Sequence, residues 1–424
     1  MRTRSQQPAH RCTTAHLRAA YPLMAEEGLG TAGAYIGVDL SGGGGSFVYD
    51  PWDLYGRVIT GPGMVIMGEL GEGKSALTKG YVLRQIRRGR RAVMLSVKQG
   101  ETDRLCAAVG GTPVRLEPGG TVRLNPLDPL TGNTRTSQQV ACDQVGILSA
   151  LASAALGRDL SPIERTACEL ALDDVRSRCS EPVIPAVVES LLRPARESAA
   201  SVAMSTQRLI EESRHVALEL RRLCAGDLRG MFDGPTSTAI DLDAPLVCLD
   251  LSAVYSSPAL GVLMTCAAAW MQRVVTQETT ARRILVVDEA WAILRNLGVA
   301  RWLAAMWKLA RGQGVQCIAV IHRISDLSAT GSVESEQVAL ARGLLADSET
   351  RVIHSLRPEE IAATRSLLDL SDAEASVIAS LTRGTALWKV GRRSFVVQHR
   401  LTEEERWIVD TDQRMQPETD AADG

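Results

Sequence analysis

The sequence predicts an α/β fold: a mainly parallel central sheet covered by helices on both faces, with an all-α insertion. Three observations lead there. Short unbroken Val/Ile/Leu runs recur at residues 64–67, 92–97, 246–251, 284–288 and 316–321, and strands that are apolar throughout are those buried on both faces. Helical periodicity follows several of them, at 76–88, 259–277 and 299–311, which is the alternation of a sheet built from crossovers. From Ser137 to Cys224 the strand pattern stops, and Ala, Leu, Glu and Arg form helical runs at 138–156, 162–178 and 205–223, punctuated by Pro182 and Pro185.

In chain order the expected parts are a flexible tail (1–33), the first part of the sheet domain (34–133), the helical insertion (134–236), the second part of the sheet domain (237–410) and an acidic tail (411–424). The first part opens with a hairpin, AYIGVDL and FVYD, turned by the SGGGGS stretch. A further extended passage, the short strand 114–116 followed by 124–128, is expected to close this part of the sheet. The second part ends in a strand (RVIHSL), two short helices and a hairpin, 386–390 and 394–399, turned by Gly391.

Composition narrows the class. With 424 residues and 45% apolar content the chain can bury a large core. A net charge of −2 gives no global attraction to nucleic acid or anionic lipid, so contact with a polyanion needs a local patch. The longest apolar run, 259–271, falls short of the ~20 residues that span a bilayer. The N-terminus carries charge without an apolar stretch behind it and is not read as a secretory signal. The expectation is a cytoplasmic protein, peripheral at most to the inner face of the membrane, with no transmembrane segment of its own. The nine cysteines are scattered, with no C-x-x-C pair, and read as reduced core thiols.

Chemistry concentrates in two segments. Gly68-Glu69-Leu70-Gly71-Glu72-Gly73-Lys74-Ser75 matches G-x-x-x-x-G-K-[ST] and lies between an apolar strand and a helix. Glycines let backbone N–H groups turn inward around phosphates, and the helix points its positive end at them. Gly68, Gly71, Glu72, Gly73, Lys74, Ser75 and Ala76 are therefore the expected nucleotide-binding residues, with Lys74 on the β- and γ-phosphates and Ser75 on Mg²⁺. The second segment, Ile284-Leu285-Val286-Val287-Asp288-Glu289, is a buried strand ending in two carboxylates. Asp288 is assigned to the Mg²⁺ shell and Glu289 to the attacking water. Together they predict a RecA-like P-loop NTPase that binds and hydrolyses Mg-ATP.

Two further residues carry alternatives. His322 ends the strand 316–321 and is either a sensor of the γ-phosphate or a surface histidine. Arg311 ends the helix before that strand and is either a finger reaching a neighbouring subunit's nucleotide or a helix-terminal cation. The cluster Arg84, Arg87, Arg88, Arg90 and Arg91 reads as a solvated helix end rather than a DNA contact, and Trp270 and Trp291 as core rather than base-stacking residues.

With these residues placed, the chain resembles the ATPase domain of the VirB-four type traffic ATPases of type IV secretion and conjugation, within the HerA/FtsK superfamily. The matching parts are Tyr35-Ile36-Gly37-Val38-Asp39 with Tyr49-Asp50-Pro51-Trp52, Gly71 to Ser75, Leu124-Asn125-Pro126-Leu127-Asp128, Asp288-Glu289-Ala290-Trp291, and Asp347-Ser348-Glu349-Thr350-Arg351 with Leu370-Ser371. The resemblance implies a homo-hexamer with sites between subunits, an arginine finger near Arg311, and a motor that powers transfer of DNA or protein through a membrane-embedded channel. The chain departs from the pattern in two places. It has Ser96-Val97-Lys98-Gln99-Gly100-Glu101 where such proteins usually carry Asp-Pro-Lys-Gly-Glu, and His322 where Gln usually stands. These departures predict slow or differently gated hydrolysis. Two other readings compete: a DNA translocase with no channel attached, and an assembly or regulatory subunit with little turnover.

Overall fold

The computed structural model describes residues 28–41, 44–111, 113–128, 136–226, 228–238, 240–241, 244–254, 260–276, 281–290, 297–322 and 336–410. Eleven strands form one sheet: β1 (Ala34–Asp39), β2 (Gly45–Tyr49), β3 (Met64–Met67), β4 (Arg91–Ser96), β5 (Val114–Arg115), β6 (Leu246–Asp250), β7 (Arg283–Val287), β8 (Val315–Ile321), β9 (Thr350–Ile353), β10 (Thr385–Val390) and β11 (Arg393–His399). Their order is β2-β1-β11-β10-β9-β3-β8-β7-β4-β6-β5. From β9 to β5 all neighbours are parallel, and the two hairpins β1–β2 and β10–β11 extend the other side as an antiparallel wing.

Every residue of β3, β6, β7 and β8 is buried, because both faces of the parallel part are covered. Alternation sorts the side chains. Met64 and Ile66 pack with Leu77, Tyr81 and Leu83 of the helix Lys74–Arg87. Val65 and Met67 belong to the opposite core, which also contains the helical region 137–225. This two-sided burial at period two is why the strands read as continuous apolar runs.

The helical region lies between β5 and β6 and comprises Ser137–Leu156, Pro162–Arg178, Ile184–Leu192, Arg196–Ser201 and Thr206–Ala225. Thr136 and Ser161 start the first two with capping boxes closed by Gln139 and Glu164. The helix Ile184–Leu192 is absent from the sequence reading, where its prolines act as breakers. Pro185 sits in its first turn, where a missing N–H costs nothing. The helix Ser137–Leu156 has the length and mean hydropathy, 1.3, of a bilayer crossing. It packs against Pro162–Arg178, Thr206–Ala225 and Leu260–Thr276 as one member of a helical layer.

Three expectations change. Residues 124–128 form a turn, not an extended strand: Pro126 has no amide to give a ladder, and Asn125 Oδ1 accepts the Leu127 N–H at 3.0 Å. The same Asn125 donates through Nδ2 to Pro182 O at 3.0 Å, and Gln144 Nε2 donates to Leu127 O at 2.7 Å. The Asn-Pro-Leu-Asp segment thus ties the sheet domain to the helical region. The arginine cluster is a solvated helix end only at Arg87 and Arg88, which are exposed. Arg84 grips Glu405 at 2.6 Å with little exposure and fastens the first crossover helix to the helix Glu403–Val409, while Arg90, just after the helix, lies 3.4 Å from the buried Asp50. Among the described cysteines, Cys142 and Cys179 are exposed and not core thiols. Trp270 is fully buried, and Trp291 lies outside the described residues.

Candidate functional site

Because β9, β3, β8, β7 and β4 are parallel neighbours in that order, their C-terminal ends share one edge of the sheet, where open α/β sheets bind ligands. Along that edge stand His354, the loop 68–73, His322, the pair Asp288-Glu289, and Lys98 with Glu101. β8 separates β3 from β7, so the lysine loop and the acid pair are two strand spacings apart, about 10 Å. His322 occupies the strand end between them.

The loop is shaped by three glycines with positive φ: +150° at Gly68, +82° at Gly71 and +107° at Gly73. Gly73 caps the helix Lys74–Arg87 and, being glycine, offers no side chain to that helix's first amides. Those amides and the helix dipole favour an anion. The Lys74 ammonium turns back into the loop, donating to Gly68 O at 2.6 Å and Glu69 O at 2.7 Å. Burial and then repulsion by Lys98 lower its pKa to about 8, against the attraction of Glu289, Asp288 and Glu69.

Main-chain bonds hold the loop from the β9 side. His354 N donates to Met67 O at 2.8 Å, Glu69 N to Ser355 O at 3.0 Å, and Gly384 N to Glu72 O at 3.0 Å. A Cβ on Gly68 would lie 2.5 Å from the Cβ of His354, which is buried. Replacing Gly68 with alanine adds this clash to a left-handed backbone. The variant is expected to lose about 2–4 kcal/mol of stability and to bind nucleotide more weakly, as read by thermal unfolding with and without Mg-ATP.

His354 and His399 lie under the loop and its helix. Burial, then the charge of Lys74, takes His354 from 6.5 down to about 3; burial, then Arg84, takes His399 to about 4. Histidines depressed on folding stabilise the protein fully above their unfolded value near 6.5, and this contribution is lost as pH falls. Asp288 opposes them, because burial and then the nearby Glu101 and Glu289 raise it to about 6 despite Lys98. Between pH 5 and 6 these three groups together bind about one proton more in the unfolded chain than in the folded one, and their contribution to stability should rise by ~1.4 kcal/mol per pH unit. Asp288→Asn should roughly double that slope in denaturant titrations across this range; an unchanged slope would contradict the assignment.

The acid pair is held by backbone contacts. Asp288 N donates to Leu95 O at 3.1 Å, and Glu289 N to Asp288 Oδ1 at 3.0 Å. Glu289 has φ of +53°, a left-handed conformation that a side chain other than glycine's rarely takes. Its Oε1 lies 2.6 Å from Lys98 Nζ and 2.7 Å from His322 Nε2. Burial resists ionisation of Glu289, but the hydrogen bonds to His322 and Lys98 outweigh it and hold the carboxyl near 2. Glu101 accepts the Ser75 hydroxyl and has Lys79 at 3.6 Å and Lys98 at 3.8 Å. Ser75, Glu101 and Asp288 line one cleft of about 10 Å³, roughly the space of one water or ion.

This donor set fits a nucleotide triphosphate with Mg²⁺. A hydroxyl and carboxylates around a small cleft suit a hard cation, and the glycine cradle and uncapped helix suit phosphates. Among the described residues no group of three or more His, Cys, Asp and Glu is arranged to hold an ion unaided, so phosphate and water would supply its remaining ligands.

The structure thus brings together Gly68, Gly71, Glu72, Gly73, Lys74, Ser75, Ala76, Asp288, Glu289 and His322 at one edge. It does not bring Arg311 there. Arg311 is exposed just before β8 begins, and the seven residues of β8 separate it from His322. Sequence reasoning missed Lys98, Glu101 and His354 as members of the site. The first two were noted only as a departure from a motif, although a lysine and a glutamate directly after an apolar strand are a signal of a strand-end site. Nothing in the local sequence marks His354, which comes close to Gly68 only through pairing of β9 with β3.

These features define a RecA-like P-loop fold, with the edge that carries the candidate site built from five parallel strand ends. Solved structures agree with it over nearly the whole chain. VirB4 of Thermoanaerobacter pseudethanolicus is similar at 20% identity and a TM-score of 0.70, covering 89% of this chain and 100% of that one. The bacterial conjugative coupling protein TrwB, in an unbound form, is similar at 15% identity and 0.56, covering 91% and 92%. TrwB with ADP and Mg²⁺ is similar at 16% identity and 0.56, covering 91% and 92%. At these identities the likeness establishes the fold. No family model and no curated protein matches the chain.

Proposed function

We propose that the chain is a Mg²⁺-dependent ATPase acting as a motor of conjugative transfer or type IV secretion. The observation that carries the ATPase reading is the shared cleft of Ser75, Glu101 and Asp288, with Lys74 in the adjoining loop close enough to feel the charges of Asp288 and Glu289. In this reading the amides of the 68–76 loop bind the phosphates and Lys74 neutralises the β- and γ-oxygens. Ser75 and Asp288 would hold Mg²⁺, which would supply charge neutralisation for the phosphates. Glu289 orients the attacking water and takes its proton as the water oxygen bonds to the γ-phosphorus and ADP leaves. His322, bonded to Glu289, keeps that carboxylate in place.

The motor reading draws its support from the likeness to VirB4 and to a conjugative coupling protein, and from the Asp-Glu-Ala and Asn-Pro-Leu-Asp segments. It includes assembly into a homo-oligomer, a hexamer, docked on channel components, with DNA as one candidate cargo. Arg311 would act only on the nucleotide of another copy. Mixing Arg311→Ala with Lys74→Ala subunits reads this directly, since sharing between protomers changes activity in mixed assemblies.

The testing experiment is phosphate release from ATP by the purified chain, with Mg²⁺ or with EDTA, and with or without duplex DNA. Mg²⁺-dependent release that rises little with DNA fits the secretion motor. Strong stimulation by DNA favours a translocase without a channel. Tight ATP binding with no release would leave an assembly or regulatory subunit.

A further inference from the structure

Besides the buried Lys79, which faces Glu101, two lysines lie among the charges of the candidate site. Lys74 comes from the loop itself. Lys98 comes from the segment after β4, and its half-exposed ammonium lies 2.6 Å from Glu289 Oε1 and 3.8 Å from Glu101 Oε2. It and His322 both hold Glu289 Oε1, on the carboxylate assigned above to the attacking water. We propose that Lys98 is a second phosphate-contacting lysine, which clamps Glu289 in this structure and transfers its ammonium to the γ-phosphate when a nucleoside triphosphate binds.

The surroundings permit the exchange. Glu101 keeps the Ser75 hydroxyl and the buried Lys79, 3.6 Å away, when Lys98 leaves. Glu289 keeps His322, and its direction is fixed by the left-handed backbone and the bond from its amide to Asp288. Neither Glu101 nor Glu289 is stranded in the cleft, and Asp288, whose charge Lys98 also offsets here, would face the Mg²⁺ that accompanies the nucleotide, so the move does not bury an uncompensated charge. A lysine on a flexible four-carbon stem can shift its ammonium by a few ångströms without backbone motion. The exchange would leave Glu289 facing the water only when a γ-phosphate is present. A diphosphate has no group at that position, so Lys98 becomes the residue that separates ATP from ADP.

The inference rests on the nucleotide-site reading above, and its test separates the two. Affinities for ATPγS and for ADP, each with Mg²⁺, are measured by calorimetry on the full chain. Lys98→Met is expected to weaken ATPγS about tenfold or more while ADP stays within about twofold, because one charge-assisted contact to the γ-phosphate is lost. Lys98→Arg should recover most of the difference. The retained ADP affinity also reports an intact fold, which a purely structural role for Lys98 would not predict. Equal losses for both nucleotides, or no loss for either, would overturn the proposal. A wild-type chain that binds neither nucleotide would instead bring down the site reading on which it stands.

Discussion

Alanine at Lys74 is expected to abolish nucleotide turnover and to weaken ATP binding by about 10- to 100-fold. The side chain is 4% exposed and its ammonium already points into the glycine loop, bonded to Gly68 O and Glu69 O. Removing it takes away the one cation the loop contributes to the phosphates, worth ~1.5–3 kcal/mol for a charged hydrogen bond in the ground state. The transition state, where charge develops on the transferring phosphoryl group, depends on it more steeply. Loss of one preorganised donor of this kind costs roughly 100- to 1,000-fold in kcat. The change also strands two loop carbonyls, so thermal unfolding measured beside the ATPase assay separates a weakened loop from a missing phosphate contact. Turnover equal to wild type would refute the loop assignment.

Glu289→Gln should give the opposite split, with ATP retained and cleavage slowed by about 100- to 10,000-fold. Gln is nearly isosteric and can preserve the left-handed main chain and the contact with His322. It cannot take the proton of the attacking water. It also has no charge for Lys98, which in wild type sits 2.6 Å from the carboxylate. ATP affinity should therefore hold or rise, because the ammonium is released toward the phosphate. Single-turnover kinetics with radiolabelled ATP would read this as bound but uncleaved nucleotide. Wild-type cleavage by the variant would move the water-activating role elsewhere, and Glu101 is the remaining carboxylate in the cleft.

The motifs that resemblance gathered into one group do different work. Gly71 to Ser75 and Asp288-Glu289 lie at the C-terminal strand edge that carries the candidate site. Asn125 fastens the turn 124–128 to Pro182 of the helical region. Ser348 accepts the Trp307 indole at 3.0 Å, and the Thr350 hydroxyl meets Tyr49 at 2.8 Å, so the segment around 347–351 locks β9 to its surroundings far from the phosphate loop. Ser371 is the cap of the helix Asp372–Ser380. A motif's recurrence in a family thus identifies what the fold needs as readily as what the reaction needs.

Local sequence was sufficient for the strands, the crossover helices, the phosphate loop and the acid pair. Each is written in a short window: two-faced burial leaves an unbroken apolar run, and a cradle for phosphates requires glycines ahead of a lysine. What a window of sequence cannot contain is adjacency. That His322 stands between the loop and the acids, that Lys98 reaches Glu289, that Glu101 takes the Ser75 hydroxyl and that His354 presses on Gly68 all follow from the strand order β9-β3-β8-β7-β4. That order is set by which apolar edges pair across hundreds of residues, and it alone decided which charged side chains share the cleft.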